Sequence, residues 1–98
     1  MKPLTIAIDF DDTFTASPGL FAEFIRLAKA RGHQTYIVTA RTGTVREIEW
    51  INSLLDDEDC QCPIVCTNRG SKLDAMEQRG IKVDIWIDDE PRKLVHGY

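Results

Sequence analysis

No apolar run in the chain approaches the roughly 20 residues needed to cross a membrane. The start, Met1-Lys2-Pro3-Leu4, leads straight into an apolar segment without the pattern of a signal peptide, so a cytoplasmic location is the default expectation. An excess of positive charge is also missing. Twelve Lys and Arg stand against sixteen Asp and Glu, a formal charge of −4, which argues against a broadly basic surface for polymeric nucleic acid and favours small ligands, although a local patch survives such an average. Cysteine is scarce and poorly spaced for metal. Cys60, Cys62 and Cys66 follow Cys-x-Cys-x-x-x-Cys with no His nearby, whereas structural zinc takes four ligands, commonly from Cys-x-x-Cys pairs. Their odd number does not suggest a disulfide framework, and Cys66 reads as a small apolar strand residue. There is no glycine-rich Walker pattern, which counts against a P-loop nucleotide triphosphatase. Repeats, low-complexity tracts and linkers are absent as well, and 98 residues suit one domain, 1–98, with one core.

What is present is an alternation of short apolar runs with amphipathic stretches, which predicts a parallel sheet covered by helices on both faces. The run Ile6-Ala7-Ile8 reads as the first strand. A helix follows, with Ser17 as cap, Pro18 in its first turn, an apolar face of Leu20, Phe21, Phe24, Ile25, Leu27 and Ala28, and Gly32 as its end. The second strand is expected over 34–39. Thr44 and Glu47 have capping-box spacing at the start of a second helix whose stripe is Val45, Ile48, Ile51 and Leu55, with Trp50 off its centre. The acidic stretch 56–59 reads as a solvated loop. A third strand over 63–67, a loop Asn68-Arg69-Gly70, a helix capped by Ser71 with Leu73 and Met76, a fourth strand over 82–87 and a last helical turn with Leu94 and Val95 complete the chain.

Chemistry concentrates at the ends of these strands. Asp9 and Asp11 close the first, where ligands of open α/β sheets bind, and alternate positions of an extended segment share a side. Carboxylates crowded there repel one another unless a cation lies between them, and a hard divalent ion such as Mg²⁺ meets that need. Thr39, followed by Ala40 and Arg41, closes the second strand, Lys72 stands at a helix start after Gly70-Ser71, and Asp88-Asp89 closes the fourth. Lysine is disfavoured by the helix dipole at that position, so Lys72 calls for an anion nearby.

Asp-x-Asp-x-Thr after an apolar strand, then a strand-ending Thr, a helix-start Lys and a strand-ending acidic pair, in that order over residues 4–93, resembles the signatures of the haloacid dehalogenase superfamily of phosphohydrolases. One departure is Asp12, where many members carry Gly; Asp tolerates irregular backbone. The resemblance implies a Rossmann-like three-layer α/β/α sandwich of about four parallel strands in the order third, second, first, fourth. Neither usual insertion point has room for a cap domain, so an open, capless site is expected. The fourth strand would lie at an edge, where the C-terminal tail or a second copy pairing along 83–87 would cover it.

The same resemblance implies that Asp9 attacks a phosphomonoester and becomes an aspartyl phosphate. Asp11 would act as acid and base, Thr39 would bind a phosphoryl oxygen, and Lys72 would neutralise charge. Mg²⁺ would be held by Asp9, by the Asp11 carbonyl and by Asp89, with Asp88 as the alternative ligand. Thr13 is expected to fix the turn. Arg41, Asn68 and Arg69, at strand ends on the same side, are candidates for holding the leaving group, since Arg forks suit phosphate and nucleobase acceptors. The segments Val38-Thr39-Ala40-Arg41 and Ile87-Asp88-Asp89 look like the phosphatase part of polynucleotide kinase-phosphatases, which places a nucleotide or a polynucleotide 3′-phosphate slightly ahead of sugar phosphates. The alternative is a phosphate-binding or phospho-accepting regulatory module of the same fold, against which the retention of both Asp9 and Asp11 counts.

Overall fold

In the computed structural model, which describes residues 2–97, the elements follow in the expected alternation. They are β1 (Thr5–Ile8), a single 3₁₀ turn (Phe14–Ala16), α1 (Pro18–Ala30), β2 (Gln34–Thr39), α2 (Val45–Asp57), β3 (Ile64–Cys66), α3 (Lys72–Gln78), β4 (Ile85–Ile87) and α4 (Arg92–His96). The four strands form one parallel sheet in the order β3-β2-β1-β4. Thr5 is level with Gln34, Ile8 with both Ile37 and Ile87, and Thr39 with Cys66. Because every strand runs the same way, the segments after Ile8, Thr39, Cys66 and Ile87 all emerge at one end of the sheet.

Alternation along β1 divides the core in two. Ile6 and Ile8 face one layer with Ile25 and Ala28 of α1 and Ile51 and Leu55 of α2, whereas Ala7 faces the other with Val38, Val65 and Met76 of α3. The result is a three-layer α/β/α sandwich. Only a turn and the 3₁₀ segment separate β1 from α1, and α2 alone intervenes between β2 and β3, so there is no cap insertion. Among the described residues no helix is long and apolar enough to cross a membrane.

Several local expectations shift. Leu20, Leu27 and Val45 are exposed, because the buried arc of α1 is carried by Ala22, Ile25 and Ala28 and that of α2 by Ile51 and Leu55. The hydroxyl of Thr44 does accept from the amide of Glu47 (3.3 Å), and that of Ser71 from Asp74 (3.2 Å), but Ser17 makes no side-chain cap bond. α2 runs through Asp57 into the acidic stretch. β3 and β4 are shorter than predicted; before β4, the Asp84 carboxylate and amide bond instead to the amide and carbonyl of Thr5 (2.9 and 2.8 Å). β4 lies at a sheet edge with Ile85 exposed, and α4 packs chiefly on α3.

Candidate active site

The turn after β1 is pinned from beneath. Phe10 and Phe14 are fully buried and stack with ring centroids 6.0 Å apart, and the amides of Phe14 and Thr15 donate to the carbonyls of Asp9 and Phe10 (3.1 and 3.0 Å). Asp12, at the apex, takes φ +63°, a conformation that a short polar side chain enters at modest strain, and its amide donates to the Thr15 hydroxyl (3.0 Å). This anchoring sets the directions of Asp9, Asp11 and Thr13.

Asp9 lies one residue beyond β1, its amide donating to the Ile87 carbonyl (2.9 Å), which brings the first and last strand ends side by side. Lys72, at the first position of α3, is fully buried. Its ammonium lies 2.6 Å from Asp9 Oδ1 and 2.7 Å from Asp88 Oδ2. The anion that the helix dipole calls for is thus supplied by two carboxylates. The Thr13 hydroxyl lies within hydrogen-bond distance of Asp9 Oδ2 (3.2 Å) and Asp89 Oδ1 (3.3 Å), and accepts from the Asp89 amide (3.3 Å). Thr13 is therefore more than a turn residue: it ties the strand-ending acid of β1 to that of β4. The Asp-x-Asp-x-Thr pattern contained it, but a partner 76 residues away, Asp89, is not visible in local spacing.

Asp9, Asp88 and Asp89 each offer a carboxylate oxygen within 4.8 Å of the others. Three carboxylates against one ammonium leave excess negative charge in a place that is buried at Asp9 and open to solvent at Asp89. Burial first, and the adjacent Asp89 and Asp88 next, outweigh Lys72 and raise the Asp9 carboxyl to about 6. For Lys72 burial favours the neutral amine, yet its bonds to Asp88 and Asp9 prevail and hold the ammonium above its ordinary value. An all-oxygen donor set with uncompensated negative charge fits a hard divalent cation.

Asp11 diverges from Asp9. Its two oxygens are gripped by the fork of Arg41, Nε at 3.0 Å and Nη2 at 2.8 Å, and its carboxylate is not part of the three-acid cluster. The Asp11 bond is the main cause holding Arg41 above its ordinary pKa. Thr39 closes β2, fully buried, with its hydroxyl accepting from the Arg41 amide (3.3 Å). Asn68 and Arg69 are exposed at φ +51° and +66°, their amides bonded to the carbonyls of Arg41 and Ala40 (3.0 and 2.8 Å). The two loops are thereby coupled, and Arg41 and Arg69 line an open cleft of about 690 Å³ with Asp11 in its wall.

The sheet thus gathers an Asp/Lys/Thr cluster consistent with a phosphoaspartate-type catalytic site. The cysteines stand apart from it: Cys60 is buried, its thiol donating to the Leu55 carbonyl (3.6 Å), and Cys66 lies in β3. Comparison of the chain with protein-family models, with curated proteins and with solved structures finds no match.

Proposed function

We propose that the protein is a divalent-cation-dependent phosphomonoester hydrolase that works through an aspartyl phosphate on Asp9. One observation carries the reading: a fully buried lysine bridging two strand-ending aspartates, one of them tied through Thr13 to a third, at the carboxyl end of a parallel sheet. A structural core has little use for such an arrangement, since burying ions without functional return is unfavourable.

In the first step an Asp9 oxygen attacks phosphorus, the bond to the leaving oxygen breaks, and Asp11 gives that oxygen a proton. In the second, Asp11 takes a proton from water as the water oxygen displaces Asp9 and releases phosphate. Lys72 keeps Asp9 oriented and balances charge on the phosphoryl oxygens, and the Thr39 hydroxyl, already accepting from Arg41, keeps its proton for donation to one of them. Arg41 must release Asp11 before that carboxyl can exchange protons, and an incoming phosphate is a natural competitor for its fork. Asp9, Asp88 and Asp89, with the Asp11 carbonyl, are the residues proposed to hold Mg²⁺, which when bound supplies positive charge against the phosphoryl oxygens. Arg41, Asn68 and Arg69 are proposed to hold the leaving group, with a nucleotide or polynucleotide 3′-phosphate as the favoured class.

Phosphate release from an aryl phosphate, 3′- and 5′-nucleotides, a 3′-phosphorylated oligonucleotide and sugar phosphates, with and without Mg²⁺ and with Asp9→Asn alongside, tests this reading. Release that requires both Mg²⁺ and Asp9 supports it. Silence across the panel in folded, Mg²⁺-binding protein favours the phospho-accepting regulatory module instead.

A further inference from the structure

Beside Asp11 lies a surface that those steps leave unused. Trp50, on α2, points away from the buried stripe of Ile51 and Leu55 yet is not loose. Its ring meets Phe10 edge-on (5.4 Å, 86°), and the Arg41 guanidinium sits 4.8 Å from its centroid. Even so, the residue remains 45% exposed. A large aromatic ring held in place and left partly open is a surface prepared for another apolar group.

The opening beside it is a cleft of about 420 Å³, a volume in the range of small-molecule sites, roughly 300–1,000 Å³. Phe14, Pro18, Trp50 and Leu54 line it with apolar surface, Asp11 forms part of its wall, and Asp57 and Glu58 are among its polar residues. Among the described residues no basic side chain is part of its lining, and Arg41 is held against Trp50 and Asp11 on its border. The neighbouring cleft, which shares Asp11, is lined by Arg41, Arg69 and Lys93 together with one further acid, Glu47. One carboxylate therefore stands between an aromatic cleft with acidic groups and a cleft rich in cations, and these select opposite parts of a ligand.

We propose that the Trp50 cleft receives the ring of the leaving group, an uncharged aromatic ring bearing amino donors such as a nucleobase, while in a substrate with more than one phosphate the further phosphate lies toward Arg41 and Arg69. The proposal rests on the reading of Asp11 as the group that protonates the leaving oxygen, because that role places the leaving group beside Asp11. Trp50 supplies the stacking surface, Asp57 and Glu58 accept from ring amino groups, and their charge keeps phosphate out of this cleft and on the Arg41 side. Base stacking on an aromatic side chain is strong enough for its removal to cost roughly ten- to a hundredfold in affinity.

The test compares kcat/KM for a 3′-nucleotide and for glycerol phosphate, which has no ring, in wild type, Trp50→Ala and Trp50→Phe. The ratio of nucleotide to glycerol phosphate should fall roughly ten- to a hundredfold in Trp50→Ala, mainly through KM, and recover in Trp50→Phe. An unchanged ratio overturns the subsite and leaves the phosphatase standing. Binding of the nucleotide to Asp9→Asn is followed in parallel by quenching of Trp50 fluorescence, with Trp86→Phe present so that one indole reports. Quenching without turnover on any substrate retains the cleft as a nucleotide site and removes the hydrolase; neither quenching nor turnover overturns both.

Discussion

Asp9 and Asp11 are two residues apart, each is paired with a cation, and the two pairs differ in almost every physical respect. The Lys72–Asp9 pair has side chains 0% and 5% exposed, whereas the Arg41–Asp11 pair has 30% and 48%. Burial, helped by the neighbouring Asp89 and Asp88, pushes Asp9 of the inner pair up to about 6, and the three acids around one lysine retain a demand for positive charge. The exposed pair is one-to-one, two-pronged and held against the rings of Phe10 and Trp50 (5.7 and 4.8 Å). Water can replace either partner there at little loss. The inner pair is fixed by its burial, and the outer one, open to water, is the easier of the two to part.

Breaking the inner pair should have the larger effects. Asp9→Asn should reduce Mg²⁺-dependent phosphate release by at least about 10⁴-fold, as loss of a nucleophile does; retention of a tenth of the rate would remove Asp9 from that role. Lys72→Met leaves Asp9 and Asp88 buried without their shared cation and should destabilise by about 3–5 kcal/mol in urea titrations. A loss under about 1 kcal/mol would place this pair with ordinary surface contacts.

The pH dependence follows from the raised Asp9 value. Between the unperturbed 3.8 and about 6 the folded state holds a proton that the unfolded state has released. Stability associated with Asp9 is therefore present at low pH and is lost as pH rises from about 4 to about 6, amounting to about 3 kcal/mol. Urea midpoints of wild type and Asp9→Asn in metal-free buffer should converge toward pH 4 and separate in favour of the variant above pH 6. The reverse slope would show that Lys72 dominates. The smallest effect belongs to the outer pair: Arg41→Ala should change stability by no more than about 1 kcal/mol, and a larger loss would erase the distinction drawn between the two.

Sequence pattern made the inner site legible because its parts sit at element ends. Parallel strands deliver Asp9 and Asp88-Asp89 to one edge, and Lys72 at a helix start was marked by its conflict with the dipole. Strand order was legible for the same reason, through the resemblance of the whole pattern. The pairing of Asp11 with Arg41 was not, since it depends on how two irregular loops approach each other, and neither loop has a periodicity to read. Thr13 and Trp50 were undervalued because their partners belong to other elements. Exposure of Leu20, Leu27 and Val45 shows the limit of apolar spacing, which marks a helix face without stating how wide an arc the sheet will cover.

The pairing of β1 with β4 joins residues almost a whole chain apart: Thr5 and Asp84 are 79 positions distant in sequence yet hydrogen-bonded. Closing so long a loop is among the slower steps open to a folding chain, because its entropy must be spent before contacts form. Asp9 therefore waits for Asp88 during synthesis, and a ribosome must extrude nearly all the described residues before the cluster exists. Protection of the Asp9 amide, bonded to the Ile87 carbonyl, would then be a late clock for folding, lagging any helical signal from α1 and α2.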